Sequence, residues 1–296
     1  MRICIIFNPA ARGDKARRFR RHLEEIGTQA TLKLTTAAGD ARRLAGEAVA
    51  EGFETVVAAG GDGTVNEVLN GLGDAPLGFE RARLGILPLG TVNVFARELG
   101  IPSRLMASWE AIRRGRETQI DLPRVSFTNN GSVQNRYFAQ LAGAGLDARA
   151  VELVAWELKK RIGPIAYVIA GLQALRGTAS KIQVTAGSYK ATGGLVLIGN
   201  GRLYGGPFRV FPRADLRDGL LDVCVFPRVN WFTLARCGPQ LLLRGSLPAS
   251  AVSVFQAKSI ELTADTRTPT EIDGEFLGQL PAEFSLAPTK LKVVVP

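Results

Sequence analysis

The first hundred residues alternate short apolar runs with segments whose apolar side chains recur at helical spacing, and few architectures accommodate that alternation. Ile3–Phe7, Thr31–Leu34, and residues 55–59 and 84–87 have the length and composition of buried strands. A helix is expected over about 14–26, with Ala16, Phe19, Leu23 and Ile26 on one face. Asp40 is expected to cap the next, whose inner face is Ala41, Leu44, Ala45 and Ala48. Val65, Val68, Leu69 and Leu72 mark a third. A fourth carries Val92, Phe95, Ala96 and Leu99 and stops at Gly100 and Pro102, and residues 103–114 form one more. Strand–helix repeats with right-handed crossovers predict a parallel sheet with helices on both faces.

The pattern changes near Asp121. Strand candidates at 125–128, 137–141, 182–185, 195–198, 220–226, 259–263, 284–286 and 291–295 are joined by turn signals such as Asn129-Asn130-Gly131 and Gly187-Ser188. This predicts an antiparallel β-rich domain, interrupted by a helical insertion over 151–175 that breaks at Gly163-Pro164. The expected fold class is therefore α/β followed by a C-terminal β-domain, with domains at 1–121 and 122–296.

A chain of 296 residues is long enough for two such domains, and 46% hydrophobic with 22% charged residues excludes a disordered or fibrous chain. The 37 basic residues against 27 acidic give +10, a field that suits nucleic acid, a phospholipid surface or a polyphosphate, and equally a generally basic soluble surface. The aromatic-interleaved basic strands or recognition helix of a nucleic-acid binder are absent. Cys4, Cys224 and Cys237 are too few and scattered for a disulfide framework or zinc site. The opening residues read as a first strand, not a signal peptide, and no apolar run approaches the roughly 20 residues that span a bilayer. A cytoplasmic protein with peripheral membrane contact is expected. The sole histidine, His22, sits among arginines, which excludes histidine-based catalysis.

The strongest local signal is Gly60-Gly61-Asp62-Gly63-Thr64, between an apolar strand and an amphipathic helix. Glycines there let backbone N–H groups approach phosphate oxygens, and a helix N-terminus favours the anion. An ordinary tight turn would also use a glycine pair. Asp62 argues otherwise, because a carboxylate beside phosphates needs an intervening cation, and Mg2+ prefers one or two carboxylates plus phosphate oxygens. Neither the Walker loop nor the GxGxxG fingerprint is present. Residues 8–13 (Asn8 first, Gly13 last) and 88–93 (Pro88 to Asn93) also place small residues and an amide at the C-terminal end of a strand, where ligands bind in open α/β sheets. Near the chain's end, Glu271-Ile272-Asp273-Gly274-Glu275 offers Asp273 and Glu275 as carboxylates able to take a hydroxyl proton in phosphoryl transfer. Asp-Gly is also the commonest hairpin turn.

With these residues assembled, the chain resembles the diacylglycerol-kinase catalytic family, which includes bacterial soluble lipid kinases and the sphingosine and ceramide kinases. The resemblance rests on NPAARG at 8–13, GGDGTVNEVLNGL at 60–72, LGILPLGTVNVFARELGIP at 84–102 and DLPRV at 121–125. It continues with YFAQLAGAGLDA at 137–148, GNGRLYGGPFRVFPRADLRDGLLDV at 199–223 and IDGE at 272–275. It implies an N-terminal nucleotide-binding domain, a C-terminal β-sandwich, and an ATP- and Mg2+-dependent kinase acting on a lipid hydroxyl. By position it carries the nucleotide site onto Asn8, Thr35, Gly60, Gly61, Asp62, Gly63, Thr64, Glu67, Thr91 and Asn93. Asp62 and Asp121 would serve Mg2+ and its waters, Asp273 the base with Glu275 beside it. Asp215, Asp218 and Leu220 would hold a second, structural cation, Asp215 and Leu220 through backbone oxygens. Many bacterial members have an acid where this chain has Val94, which thins the carboxylate network expected around Mg2+.

Two other readings stand beside this one. The GGDGT loop also occurs in NAD kinases and phosphofructokinases, which act on soluble substrates, and a non-catalytic lipid- or nucleotide-binding protein could use the same fold. The expected partners are a membrane lipid and an anionic membrane surface, and oligomeric state is open, a homodimer included. In the insertion, Val151, Val154, Leu158 and Ile162 share a face ending at Lys159, Lys160 and Arg161, followed by Ile165, Val168, Ile169 and Leu172. Those faces suit either a membrane-surface helix or a cover for a sheet.

Overall fold

A computed structural model describes residues 2–9, 19, 22–129, 131–146, 148, 149 and 180–296. The insertion over 151–175, most of the 14–26 helix and residues 10–13 lie outside the described residues. The chain divides into two compact units, Met1–Leu122 with Ala287–Pro296, and Pro123–Leu286.

The first unit contains, in order, β1 (Ile3–Phe7), α1 (Leu23–Gly27), β2 (Thr31–Leu34), α2 (Asp40–Ala50), β3 (Thr55–Gly60) and α3 (Asp62–Asp74). Then come α4 (Gly78–Arg81), β4 (Arg83–Pro88), α5 (Val94–Glu98), α6 (Leu105–Arg114) and β5 (Glu117–Ile120). β1 to β4 pair in parallel, and every residue of β1 and β3 is buried, as expected for strands covered on both faces. The inner faces read from sequence are the buried ones: Ala41, Leu44, Ala45 and Ala48 in α2, and Val65, Val68, Leu69 and Leu72 in α3.

The second unit opens with β6 (Pro123–Asn129), β7 (Ser132–Tyr137), β8 (Leu141–Gly145), β9 (Ile182–Ala186), β10 (Tyr189–Gly193) and β11 (Leu195–Gly199). It continues with β12 (Leu203–Tyr204), β13 (Phe208–Arg209), β14 (Leu221–Phe226), α7 (Trp231–Arg244), β15 (Ser253–Ala257) and β16 (Ser259–Ala264). β17 (Pro269–Ile272), β18 (Glu275–Gln279) and β19 (Ala282–Leu286) complete it. Two six-stranded antiparallel sheets, ordered β10-β9-β16-β19-β6-β7 and β15-β14-β11-β8-β17-β18, form a β-sandwich. Val196, Ile198, Val223 and Val225 face the core between the sheets, where Phe138 meets Phe284 edge-on at 6.2 Å. The alternate residues Leu195, Leu197, Cys224 and Phe226 form a second core on the outer face, with Cys237 of α7.

Three expectations need correction. The last strand, β20 (Leu291–Val294), belongs to the first unit, where the sheet order is β2-β1-β3-β4-β20-β5 and Leu291 pairs with Ile120. An apolar run at the end of a chain does not say which sheet it completes. The apolar run 137–141 is not one strand, because residues 138–140 connect β7 to β8. Their backbone donors turn towards a side chain, as described below. Asp40 does not occupy the N-cap of α2; Gly39 does, at φ 87.

All three cysteines are free and buried, and burial pushes the thiols up, Cys4 to about 11 and Cys224 to about 12. At pH 8 the native protein should therefore leave a thiol reagent unreacted, while the denatured chain consumes it at all three positions. Rapid native labelling of Cys4 or Cys224 contradicts this packing.

Candidate active site

The parallel strands end level with one another. Phe7 is opposite both Leu34 and Ala59, and Gly60 is opposite Pro88, so the segments beginning at Asn8, Thr35, Gly61 and Leu89 leave one edge of the sheet. Backbone bonds carry that alignment into the loops: Asn8 N–H donates to Ala59 O at 3.2 Å and Thr35 N–H to Phe7 O at 3.0 Å. This is the carboxyl edge at which open α/β sheets bind ligands.

Two glycine loops are clamped together there. Gly60 O accepts from Leu89 N–H at 2.9 Å and from Gly90 N–H at 3.1 Å. A Cβ on Gly90 would lie 2.5 Å from Gly61 Cα, and one on Gly60 would lie 2.3 Å from Thr64 Oγ1, so neither position has room for a side chain. Asn93 locks the second loop. At φ 52 it takes the left-handed conformation that asparagine tolerates, its Oδ1 accepting from Gly90 N–H at 3.0 Å and its Nδ2 donating to Gly90 O at 2.7 Å. Asp62 Oδ1 accepts a long bond, 3.4 Å, from Phe95 N–H, which ties the first loop to the start of α5. Thr64 and Asn93 are buried, Thr91 is exposed, and Val94 is buried where an acid was the family expectation.

α3 begins without a side-chain cap. Its N-cap is Gly61, and its first intrahelical bond runs from Val65 N–H to Gly61 O, so the N–H groups of Gly63 and Thr64 precede the hydrogen-bonded turn. An uncapped N-terminus with glycine before it is a receptor for an anion, since unsatisfied N–H groups and the helix dipole point the same way. These residues fit a phosphate group. Asp62, in the first turn, supplies one carboxylate, which suits a cation held mainly by phosphate oxygens. Among the described residues no cluster of three or more His, Cys, Asp or Glu side chains forms a metal cage.

Glu67 has a role that sequence did not suggest. Its two oxygens accept from Gly39 N–H and Ala41 N–H, both at 3.0 Å, capping α2 from the neighbouring helix. Asp40 orders the same segment from within. Its Oδ2 accepts from Thr36 Oγ1 at 2.6 Å, Thr36 N–H at 2.7 Å and Ala37 N–H at 3.0 Å, which holds its carboxyl well below the usual carboxylate range. Both acids fix the turn that follows Thr35. Asp121 is buried and forms an ion pair with Lys290, a partner that only the position of β20 reveals.

In the second unit, Asp273 and Gly274 join β17 to β18 with φ of 48 and 81, a hairpin turn of the kind Asp-Gly favours. The Asp273 carboxylate also accepts from Ala139 N–H at 2.7 Å, Gln140 N–H at 3.0 Å and Leu141 N–H at 3.1 Å. That side chain is what turns the chain between β7 and β8, while Glu275 is exposed. The segment expected to hold a second cation is a tight turn. Asp215 Oδ1 accepts from Arg217 N–H at 3.0 Å, Asp218 Oδ1 from Leu220 N–H at 2.9 Å, and Asp215 O from Asp218 N–H at 3.3 Å. Gln256 Nε2 bridges Asp218 and Asp222 at 3.1 and 3.0 Å. Asp222 was hidden in sequence by its apolar strand; burial raises its pKa, against the Gln256 bond, and the charge of Asp218 adds to the rise.

The fold and this edge define a two-unit α/β and β-sandwich protein of the kinase type. Residues 2–125 match the diacylglycerol kinase catalytic domain and residues 140–295 the YegS C-terminal NAD kinase beta sandwich-like domain. A diacylglycerol kinase of Bacillus subtilis (strain 168) is 31% identical over 303 residues, covering 99% of this chain and 95% of that protein. One of Staphylococcus aureus (strain MRSA252) is 31% identical over 293 residues, covering 95% and 88%. The chain belongs to the diacylglycerol kinase catalytic-domain family. Its fold is also that of a Bacillus anthracis str. Sterne crystal structure described as a diacylglycerol kinase, with TM-score 0.71, 22% identity and coverage of 100% and 97%.

Replacing Gly90 by Ala tests the clamp. Forcing a methyl group against Gly61 should cost about 1–3 kcal/mol and lower the melting temperature measurably. An unchanged melting temperature contradicts the contact.

Proposed function

We propose that this protein is an ATP- and Mg2+-dependent lipid kinase that transfers the γ-phosphate of ATP to a hydroxyl of a diacylglycerol-like lipid. The observation that carries the reading is the uncapped N-terminus of α3 clamped beside the Gly90 loop at the carboxyl edge of the sheet. Membership of the diacylglycerol kinase family supports kinase chemistry, and the relatives' names support the choice of acceptor.

Phosphoryl transfer asks a protein mainly for positioning and charge stabilisation. The N–H groups of Gly63 and Thr64 are suited to bind phosphate oxygens, and the Gly60–Gly90 clamp keeps the two loops from moving apart. Asp62 is the residue that would hold Mg2+, which when bound neutralises phosphate charge. Asp121, which is ion-paired with Lys290, is the second carboxylate proposed to serve Mg2+ and its waters. Asp273 and Glu275 are the proposed proton acceptors, and Asp273 also positions the backbone of residues 139–141.

The test supplies γ-labelled ATP, Mg2+ and a total lipid extract, and identifies the labelled product by mass spectrometry. Label in an organic-soluble phosphomonoester such as phosphatidic acid is expected. Label confined to a water-soluble product, or no transfer, overturns the reading. Asp62→Asn should nearly abolish transfer with the melting temperature unchanged. Wild-type turnover by that variant at saturating Mg2+ removes Asp62 from the metal site. Asp273→Asn should lower kcat about 10²–10⁴-fold. It should also lower the melting temperature, because an amide faces the three backbone donors less well than a carboxylate. A stability loss with full kcat leaves Asp273 structural.

A further inference from the structure

α7 is apolar on two faces. Its inner face buries Cys237, with Leu241 packed against the same outer core of the sandwich. At 100° per residue, Trp231, Ala235, Pro239, Phe232, Leu243 and Arg236 fall in sequence across the opposite face. All six are exposed. Trp231 is 58%, Phe232 73% and Leu243 85% exposed, so three large apolar side chains of the helix point at solvent. Single exposed apolar residues are ordinary on a protein surface, whereas a contiguous apolar face marks an interaction site.

Charge identifies what it meets. No acidic residue lies between Asp222 and Glu261, an interval that contains Arg228, Arg236, Arg244 and Lys258. Arg236 is exposed at the margin of the apolar face and commits one donor to Ser250 Oγ at 2.5 Å, and Arg228, two residues before the Asn230 cap, is exposed as well. A second copy joined through this same face is a poor match, because residues 223–260 offer no acidic side chain to pair with these arginines. Aromatic and aliphatic side chains rimmed by arginine suit the boundary between anionic headgroups and acyl chains. The helix is also well held for that purpose. Asn230 caps it, accepting from Thr233 N–H at 2.9 Å, and the inner face anchors it to the sandwich. Pro239 lies on the outer face, where the Ala235 carbonyl that it leaves without an intrahelical donor can meet water or headgroups.

We propose that the outward face of α7, led by Trp231, Phe232 and Leu243, docks this protein on an anionic phospholipid bilayer. The insertion over 151–175, whose faces suit either a membrane-surface helix or a cover for a sheet, lies outside the described residues. The purpose of such docking rests on the lipid-kinase reading; its geometry does not.

The experiment is sedimentation with phosphatidylglycerol/phosphatidylcholine vesicles and with pure phosphatidylcholine vesicles, without nucleotide. The triple variant Trp231→Gln, Phe232→Gln, Leu243→Gln should bind the anionic vesicles at least about tenfold more weakly. Arg228→Gln with Arg236→Gln should lose about fivefold per arginine on anionic vesicles and little on neutral ones. Leu243→Gln alone, at a side chain too exposed to support the fold, should weaken binding severalfold, so the claim survives misfolding of the triple variant. In a Trp156→Phe background, brominated acyl chains should quench Trp231, while Trp109, 1% exposed, stays shielded. Wild-type vesicle affinity in the folded triple variant, or an unquenched Trp231, overturns the proposal. So does a concentration-dependent dimer that the triple variant loses with vesicle binding intact, because the face then belongs to a second copy. Turnover of short-chain diacylglycerol dispersed in detergent should be the same for wild type and triple variant. If wild type phosphorylates no lipid yet its vesicle binding depends on α7, the kinase reading fails and the docking surface stands.

Discussion

Backbone meets backbone where β3 and β4 end. Gly60 O draws in the N–H groups of Leu89 and Gly90, and Gly90 comes so close to Gly61 that a single methyl group would not fit between them. The site geometry depends on that contact. It brings the GGDGT loop and the GTVN loop to one place, leaves the first N–H groups of α3 without a cap, and lets Asp62 reach the start of α5. The clamp uses main-chain atoms, so its precision does not depend on long flexible side chains.

Within each unit, carboxylates are used in a way that separates building from binding. Glu67 and Asp40 order the turn after Thr35 by accepting backbone donors, and Asp273 does the same for residues 139–141. Asp121 is matched with Lys290. Charge-assisted bonds of this sort are stronger than neutral ones, which suits acids near a site whose ligand is itself anionic. Ionised groups already opposed by local donors add less repulsion than bare ones. Asp62, in the first turn of α3, takes a long 3.4 Å bond from Phe95 N–H across to the second loop.

Sequence exposed what periodicity and turn chemistry encode. The strands of the parallel sheet, the inner faces of α2 and α3, and the glycine loops were legible because burial on both faces, helical spacing and Gly-Gly junctions each leave a local trace. Long-range pairings leave none. Lys290 meets Asp121 across 169 positions of chain, and Asp273 reaches Ala139 across 134, so neither partner could be named in advance. α7 was obscured by Gly238 and Pro239, which normally argue against a helix interior, and by apolar side chains on its outer as well as its inner face. Asp222 looked like one polar residue in a core strand until Gln256 and Asp218 were placed beside it.

The central claim is that the two clamped loops receive the phosphates of ATP. Amide spectra of the isotope-labelled protein, recorded through a titration with ATP and Mg2+, test it directly. The account predicts the largest shifts at Gly61, Gly63, Thr64 and Thr91, with Leu262 and Val184 in the sandwich unmoved. Saturable ATP binding that leaves those four amides in place, or shifts centred in the second unit, would contradict it.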